Sequence, residues 1–257
     1  MTALLYRFSG ALVLFVLLAV WELSFPRRPR GPGRGRRWAA NLGLQAADAG
    51  VRLVFALGVP GLRVGWAYGC EFRGVGLLNK VYWPFKLKFA LGYVALDLVV
   101  YLQHRLFHAL PPLWRLHRVH HTDLDLDLTT GLRFHPGEIV ISLGLKALAV
   151  SILGIHWLAV GVFESALNAF SLLTHANVAF PLDLSRLIVT PDMHKSHHSE
   201  DADETDSNFG FQLAVWDRLF GTYRFKPAKA VRYGQPNPEH VPALGVFGLL
   251  WLPLERP

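Results

Sequence analysis

HRLFHALPPLWRLHRVHH, His104 to His121, packs five histidines into eighteen residues, and HKSHH, His194 to His198, adds three more. The chain holds 12 histidines in 257 positions, so one HxxHH is expected by chance roughly 0.03 times. Two copies together with HxxxH point to a metal site, and against three boxes the reading as surface or core histidines fails. On a helix, residues three and four apart share a face, so His104 can chelate with His108, and His117 with either His120 or His121. The neighbours His120 and His121 differ by about 100° around the helix, as do His197 and His198, so adjacent rings can serve two different ions. That spacing favours a dinuclear centre. Pro111-Pro112 and Thr190-Pro191 are helix-start signals, which predict that the second and third boxes sit in the first turns of short helices. Imidazole suits iron, copper, zinc and nickel, and spacing does not choose among them.

Outward from the boxes the chain is apolar. Hydrophobic residues make up 52% and charged residues 18%, below the roughly 25% charged of soluble domains, and the mean hydropathy is +0.28. Residues 8–26 carry one charge, Glu22, and residues 89–103 carry only Asp97. Residues 139–178 carry only Lys146 and Glu164, enough for two passes of about 20 residues each. A weaker span, Trp38 to Val59, is interrupted by Asp48 and Arg52, which can neutralise each other at i,i+4. The expected fold is all-α: a multi-pass transmembrane helical bundle of four or five spanning helices with a cytosolic, histidine-rich helical cap, all of residues 1–257 forming one integral-membrane domain.

The first apolar stretch ends in Trp21, Glu22 and Leu23 without a small-residue cleavage pattern, so it reads as a retained anchor rather than a signal peptide. RRPRGPGRGRR, Arg27 to Arg37, carries six arginines against a lone Arg7 on the other flank, which puts it in the cytoplasm and the N-terminus outside. Counting crossings from there delivers all three boxes to the cytoplasmic face. Pro and Gly make this linker read as a solvated loop, with anionic lipid contact or topology setting as its role. GPGRGRR does not satisfy GxGxxG. Net charge +7 comes partly from this loop, and no aromatic or fold motif supports nucleic-acid binding. Cys70 is the single cysteine, which excludes an intrachain disulfide and cysteine-based zinc or iron–sulfur sites. The Ala, Gly, Leu and Arg bias suggests a GC-rich genome and hence a bacterial inner membrane.

The order HRLFH, HRVHH, RFHP (Arg133 to Pro136), THANV (Thr174 to Val178), TPDMHKSHH (Thr190 to His198), NFG (Asn208 to Gly210) and WDRLFGTY (Trp216 to Tyr223) resembles the sterol desaturase/fatty acid hydroxylase superfamily, over residues 97–223 as a histidine-box catalytic region. The resemblance implies an integral-membrane di-iron oxygenase whose metal ligands, and hence catalytic residues, are His104, His108, His117, His120, His121, His175, His194, His197 and His198. His135 of RFHP is implied either as a ligand or as a group behind one. His156 and His240 fall outside the motifs and read as core or surface histidines. The implied cofactors are two Fe ions with O2 as co-substrate, and the implied reaction is hydroxylation or desaturation of a C–H bond in a membrane lipid, whether sterol, fatty acyl, carotenoid or ether lipid. No haem, flavin or nicotinamide fingerprint is visible, so electrons are expected from a separate protein of ferredoxin, cytochrome b5 or reductase type.

Asp97, Tyr101, His104 and His108 fall on one helical stripe, which makes Asp97 a candidate to orient a ligand imidazole, against an alternative as a packing carboxylate. Glu200 to Asp206 holds five carboxylates and reads as a solvated loop, in preference to metal ligation or docking of a basic electron donor. Trp216, Asp217, Phe220 and Gly221 are expected to lock the third-box segment in place, and Leu244 to Leu252 is too short to span and reads as interfacial. Two other function classes are weighed. A membrane metal transporter would carry its site on broken helices near the bilayer midplane, whereas these boxes flank helix ends. A zinc-dependent lipid hydrolase would want a glutamate base as in HExxH, which no box offers.

Overall fold

The computed structural model describes residues 2–29, 31, 33–58, 64–180, 184–224, 232–234 and 245–255, with the backbone alone at 2–9, 55–58, 202 and 203. The fold is all-helical, and among the described residues only isolated bridges, such as Pro26 with Val178, stand in for strands. The helices are α1 Thr2–Ser24, α2 Arg34–Gly58, α3 Val64–Phe72, α4 Phe85–Ala109, α5 Pro111–His121, α6 Pro136–Leu153, α7 Trp157–His175, α8 Pro191–His197, α9 Ala202–Thr205, α10 Val215–Leu219 and α11 Val246–Trp251. Among the described residues, two of them, α6 and α7, are long and apolar enough to cross a membrane. Helices α2 and α4 are 25 residues each, about 37 Å of rise, but carry more charge.

Local chemistry sets the helix ends. Pro136 opens α6 after His135, whose Nδ1 accepts from Gly137 N at 3.0 Å. The helix closes at Gly154, in the left-handed conformation with φ 68°, which glycine adopts without the Cβ clash. His156 then caps α7 by accepting from Leu158 N at 3.0 Å. These two helices pack with α3 and α4 around Leu96, Val100, Val150, Ile155, Ala159, Val160 and Phe163, all buried. The two charges of the 139–178 stretch meet inside this layer, with Lys146 Nζ 2.6 Å from Glu164 Oε1.

The C-terminal ends of α1, α4 and α7 and the N-terminal ends of α2 and α6 all reach one side of the bundle. Glu22 at the end of α1 accepts from Leu128 N and Asn177 N, each at 2.9 Å. Asn41 in α2 donates to Asp123 at 3.1 Å and Thr129 at 3.0 Å. Gly131 lets the 3-10 turn Leu128–Leu132 press on α7, because a Cβ there would lie 2.3 Å from Ser171 O. The arginine stretch does not behave as a solvated loop in its described part. Arg37 pairs with Asp123 at 2.5 Å and Asp127 at 3.0 Å, Arg34 with Glu22 at 2.9 Å, and Gly31 N donates to Asp125 at 3.0 Å. The cause is the acid alternation Asp123, Asp125, Asp127 directly after the second box, which offers buried carboxylates that need cations. The apolar C-terminal stretch, described from Gly245, forms α11, whose Leu249, with Leu252 beyond it, is buried against Ala40, Leu44 and Val119, while Phe247 and Trp251 stay exposed.

Candidate metal centre

The last two turns of α4 carry His104 and His108, the last two turns of α5 carry His117, His120 and His121, and α7 ends on His175. His194 and His197 lie in α8 and His198 follows it. The prolines do start α5, but about one and a half turns separate them from its histidines, so the second box closes its helix rather than opening it. The nine rings form two groups, each with its potential ligand atoms within 4.8 Å of one another: His104, His108, His117, His121 and His197 in one, His120, His175, His194 and His198 in the other. Both neighbouring pairs, His120 with His121 and His197 with His198, are divided between the groups, as the 100° step between adjacent helical residues requires.

Hydrogen bonds fix the rings from behind. Nδ1 of His104 donates to Phe209 O (2.8 Å), of His120 to Arg133 O (3.2 Å), of His175 to Ser171 O (2.6 Å) and of His197 to Ser207 O (2.7 Å). Nδ1 of His117 faces Glu138 at 3.0 Å and Nδ1 of His108 faces Asp206 at 3.2 Å. A carbonyl or carboxylate can only accept, so in each of these six rings Nδ1 carries a proton, and in the neutral form Nε2 keeps its lone pair. Those Nε2 atoms converge. His104 and His117 meet Nε2 to Nε2 at 3.0 Å, and so do His120 and His175. His175 Nε2 also lies 2.9 Å from His194 Nε2 and 3.1 Å from His198 Nε2. In the first group, Nε2 of His108, Nε2 of His197 and both nitrogens of His121 are buried without a hydrogen-bond partner. Facing lone pairs repel unless a cation lies among them, so this donor set fits metal ions, with the outer bonds in the arrangement that orients metal-bound imidazoles.

Burial disfavours protonation of five of the rings, on α5, on α8 and at the exit of α8. It holds His120, His121, His194 and His198 well below the ordinary imidazole value and His197 at about 3, with the neighbouring rings adding to the effect. Aromatic side chains complete the enclosure: Phe134 stacks on His120 with centroids 4.5 Å apart, Trp114 lies 5.0 Å from His108, and Phe211 lies 5.1 Å from His104.

One short segment orients three rings of the first group. Asp206, Ser207 and Phe209 hold His108, His197 and His104, and Asn208 between them sits at φ 51°, in the left-handed region. Asn208 is pinned there by donating to Met193 O at 3.1 Å and accepting from Arg224 N at 2.9 Å. Asp217 secures the next step, accepting from Phe209 N at 2.8 Å, Gly210 N at 2.9 Å and Thr222 Oγ1 at 2.7 Å.

The family model described as fatty acid hydroxylase matches residues 89–222, more than half of the chain and all nine of these histidines. The chain belongs to the fatty acid hydroxylase family. It is 36% identical over 149 residues to ornithine lipid hydroxylase OlsE of Rhizobium tropici, covering 56% of this chain and 44% of that protein. It is 27% identical over 179 residues to the alkylglycerol monooxygenase of Homo sapiens, covering 65% of this chain and 40% of that one, and 29% identical over 180 residues to that of Xenopus tropicalis, covering 65% and 40%. The chain therefore spans less than half the length of these relatives. No solved structure matches it.

Within the family's motif set, His135 stands apart from both groups. Its Nδ1 caps α6 and its Nε2 donates to Leu250 O at 3.2 Å, so neither nitrogen keeps a lone pair for an ion. His156 is the cap of α7 and lies 3.4 Å from Glu71, and His240 lies outside the described residues. Asp97 does not touch an imidazole. It accepts from Trp216 Nε1 at 2.9 Å and Leu213 N at 3.3 Å, tying α4 to α10. Seven residues of helix put it about 10 Å from His104, beyond a carboxylate's reach. Among the described residues, the carboxylates that do reach the rings are Glu138 and Asp206. For Glu138 the available signal is an acid in the first turn of an otherwise apolar helix, directly after RFHP. For Asp206 the signal is submerged in five neighbouring carboxylates of which one faces a ring.

Proposed function

We propose that this chain catalyses O2-dependent hydroxylation or desaturation of a C–H bond in a membrane lipid at two irons. The observation that carries the reading is the convergence of Nε2 atoms in two histidine groups, with the outer nitrogen already committed to a carbonyl or carboxylate in six of the nine rings. His104, His108, His117, His121 and His197 would hold one iron, and His120, His175, His194 and His198 the other. Two bound irons supply the redox chemistry that lets O2 attack an unactivated C–H bond. The residues of the chain do the rest. Glu138 and Asp206 lend negative charge to a set of neutral imidazoles, the four carbonyls hold ring orientation, and Phe134, Phe209, Phe211 and Trp114 keep bulk water out.

The shared ends of α1, α2, α4, α6 and α7 support five crossings, with the histidine end at the cytoplasmic face and the cap of short helices above it. Residues 1–257 act as one integral-membrane domain, with residues 97–223 as its catalytic region. Electrons come from a separate protein of ferredoxin, cytochrome b5 or reductase type. The relatives' names point to amino-acid lipids and glycerol ether lipids as the first substrates to assay.

The test is metal analysis with Mössbauer spectroscopy on protein grown with ⁵⁷Fe and purified in detergent, wild type against His120→Ala combined with His197→Ala. About two irons per chain, lost in the variant, is the expected result. Zinc alone, or a single iron, refutes the di-iron reading and moves effort to hydrolase and transport chemistry.

A further inference from the structure

A second polar cluster, which the metal centre does not use, adjoins the His120, His175, His194 and His198 group. Lys195 is fully buried, its Nζ makes no hydrogen bond, and the nearest carboxylate oxygen, Asp192 Oδ1, is 3.9 Å away. Arg28 donates through Nη2 to Leu126 O at 3.2 Å and places Nη1 3.9 Å from Asp125, while its Nε is buried without a partner and its guanidinium lies 4.3 Å from the Tyr233 ring centroid. Tyr233 is 4% exposed and its hydroxyl has no partner. Asp192 lies 3.6 Å from Arg27 and 3.9 Å from Lys195, and Arg28, next in the chain to Arg27, lies over Tyr233, so these groups adjoin one another. Arg27, 38% exposed, forms the mouth of the cluster.

The lining comes from three separate stretches: the exit of α1, helix α8, and the segment 232–234. That segment is fastened across the third box by Glu200 N to Arg232 O at 3.0 Å and Gly234 N to His198 O at 3.3 Å. Its charge balance is cationic. Arg27 and Lys195 face Asp192, and Arg28 lies 3.9 Å from Asp125, a carboxylate that also accepts from Gly31 N and pairs with Arg37, whereas the nearby Glu22 is already taken by Arg34, Leu128 N and Asn177 N. An ammonium and a phenol buried without acceptors call for an acceptor between them. A phosphate or carboxylate supplies several, each in a charge-assisted bond.

The position favours a lipid over a soluble anion. Arg28 N donates to Asn177 Oδ1 at 3.2 Å, two residues beyond His175, so the cluster sits where α1 and α7 end. Leu23 and Phe25 are exposed at that exit, and the apolar wall of Leu128, Ala176 and Val178 lies beneath. We propose that Lys195, Arg28, Arg27 and Tyr233 bind, through its phosphate or carboxylate, a lipid headgroup of net negative charge that carries no cation of its own, beside the second histidine group. That this lipid is the substrate rests on the hydroxylase reading; its binding does not.

The experiment uses the full chain with its metal in detergent, offered phosphatidylglycerol or phosphatidylcholine in mixed micelles, with retained lipid read by native mass spectrometry and iron content read in parallel. Wild type should retain the anionic lipid at least about tenfold over the zwitterionic one. Lys195→Met should remove that preference, Lys195→Arg should keep it, and Tyr233→Phe should lower it about fivefold. Because Lys195 stands inside the third histidine box, Tyr233→Phe and Arg28→Gln decide the matter if Lys195→Met fails to fold. Equal retention of both lipids by wild type overturns the proposal. So does thermal stabilisation by inorganic phosphate over chloride without lipid preference, which assigns the cluster to a free anion. Anionic preference that survives in all the neutralising variants also overturns it. A preparation with anionic preference but no iron supports this site while refuting the di-iron reading.

Discussion

Asn208→Ala tests whether the segment that orients three rings is held by the backbone conformation of one residue. Asn208 sits at φ 51°, where alanine costs about 1–2 kcal/mol. The substitution also deletes the bonds to Met193 O and Arg224 O and the one from Arg224 N, at about 1 kcal/mol net each. The sum, about 4–5 kcal/mol, is a large share of the 5–15 kcal/mol that holds a typical domain. Asn208→Gly should recover the conformational part and lose the rest, so the expected order of stability is wild type, then Asn208→Gly, then Asn208→Ala. Displacement of Ser207 O and Phe209 O frees His197 and His104, and such outer bonds are worth about 10- to 100-fold in metal affinity. The assay is thermal unfolding in detergent alongside metal content under chelator competition. An Asn208→Ala protein that matches wild type in both, or an Asn208→Gly protein as damaged as Asn208→Ala, refutes the reasoning.

Glu138→Gln keeps an acceptor for His117 but removes its charge, so metal affinity should fall about 10- to 100-fold with little change in helix content; unchanged affinity by competition titration would show that Glu138 only packs. His135→Ala should cost about 1 kcal/mol as a lost cap while leaving metal stoichiometry intact, and loss of a metal would return His135 to the ligand set. Arg37→Ala strands Asp123 and Asp127 in the interior and should cost about 3–5 kcal/mol, with Arg37→Lys a poor substitute because it cannot serve both carboxylates as a fork; thermal unfolding of the three proteins checks the order. Metal-free protein should lose stability as pH falls from about 6.5 towards 3. The buried rings, His197 at about 3 among them, take up protons only on unfolding in that window, each contributing up to about 1.4 kcal/mol per pH unit. A flat melting temperature between pH 7 and 5 would refute the claim that they are buried and neutral.

The histidines were legible because chelation by a helix is a local matter. Spacings of three, four and one residue fix which rings share a face, and the division of His120 from His121 follows from the helical step. What holds the rings, His175 on Ser171 O apart, is not local. Glu138 lies 21 residues from His117, and four of the remaining partners are backbone carbonyls, which leave no mark on the amino-acid string. Asp97 misled because a helical stripe gives direction but not distance. The arginine stretch misled for a different reason: its partners, Asp123 and Asp127, lie 86 and 90 residues away from Arg37. Their period-two alternation with leucine was the available signal.

Helices α5 and α8 each lend rings to both histidine groups through adjacent residues, so neither group has a scaffold of its own. A ligand exchanged in one pocket shifts the peptide plane that sets its neighbour in the other. Any two ions held there would thereby be engineered, or damaged, as a pair. Redesign towards a mixed-metal centre would have to begin with His175 on α7 or with His104 and His108 on α4, the elements that lend rings to a single group.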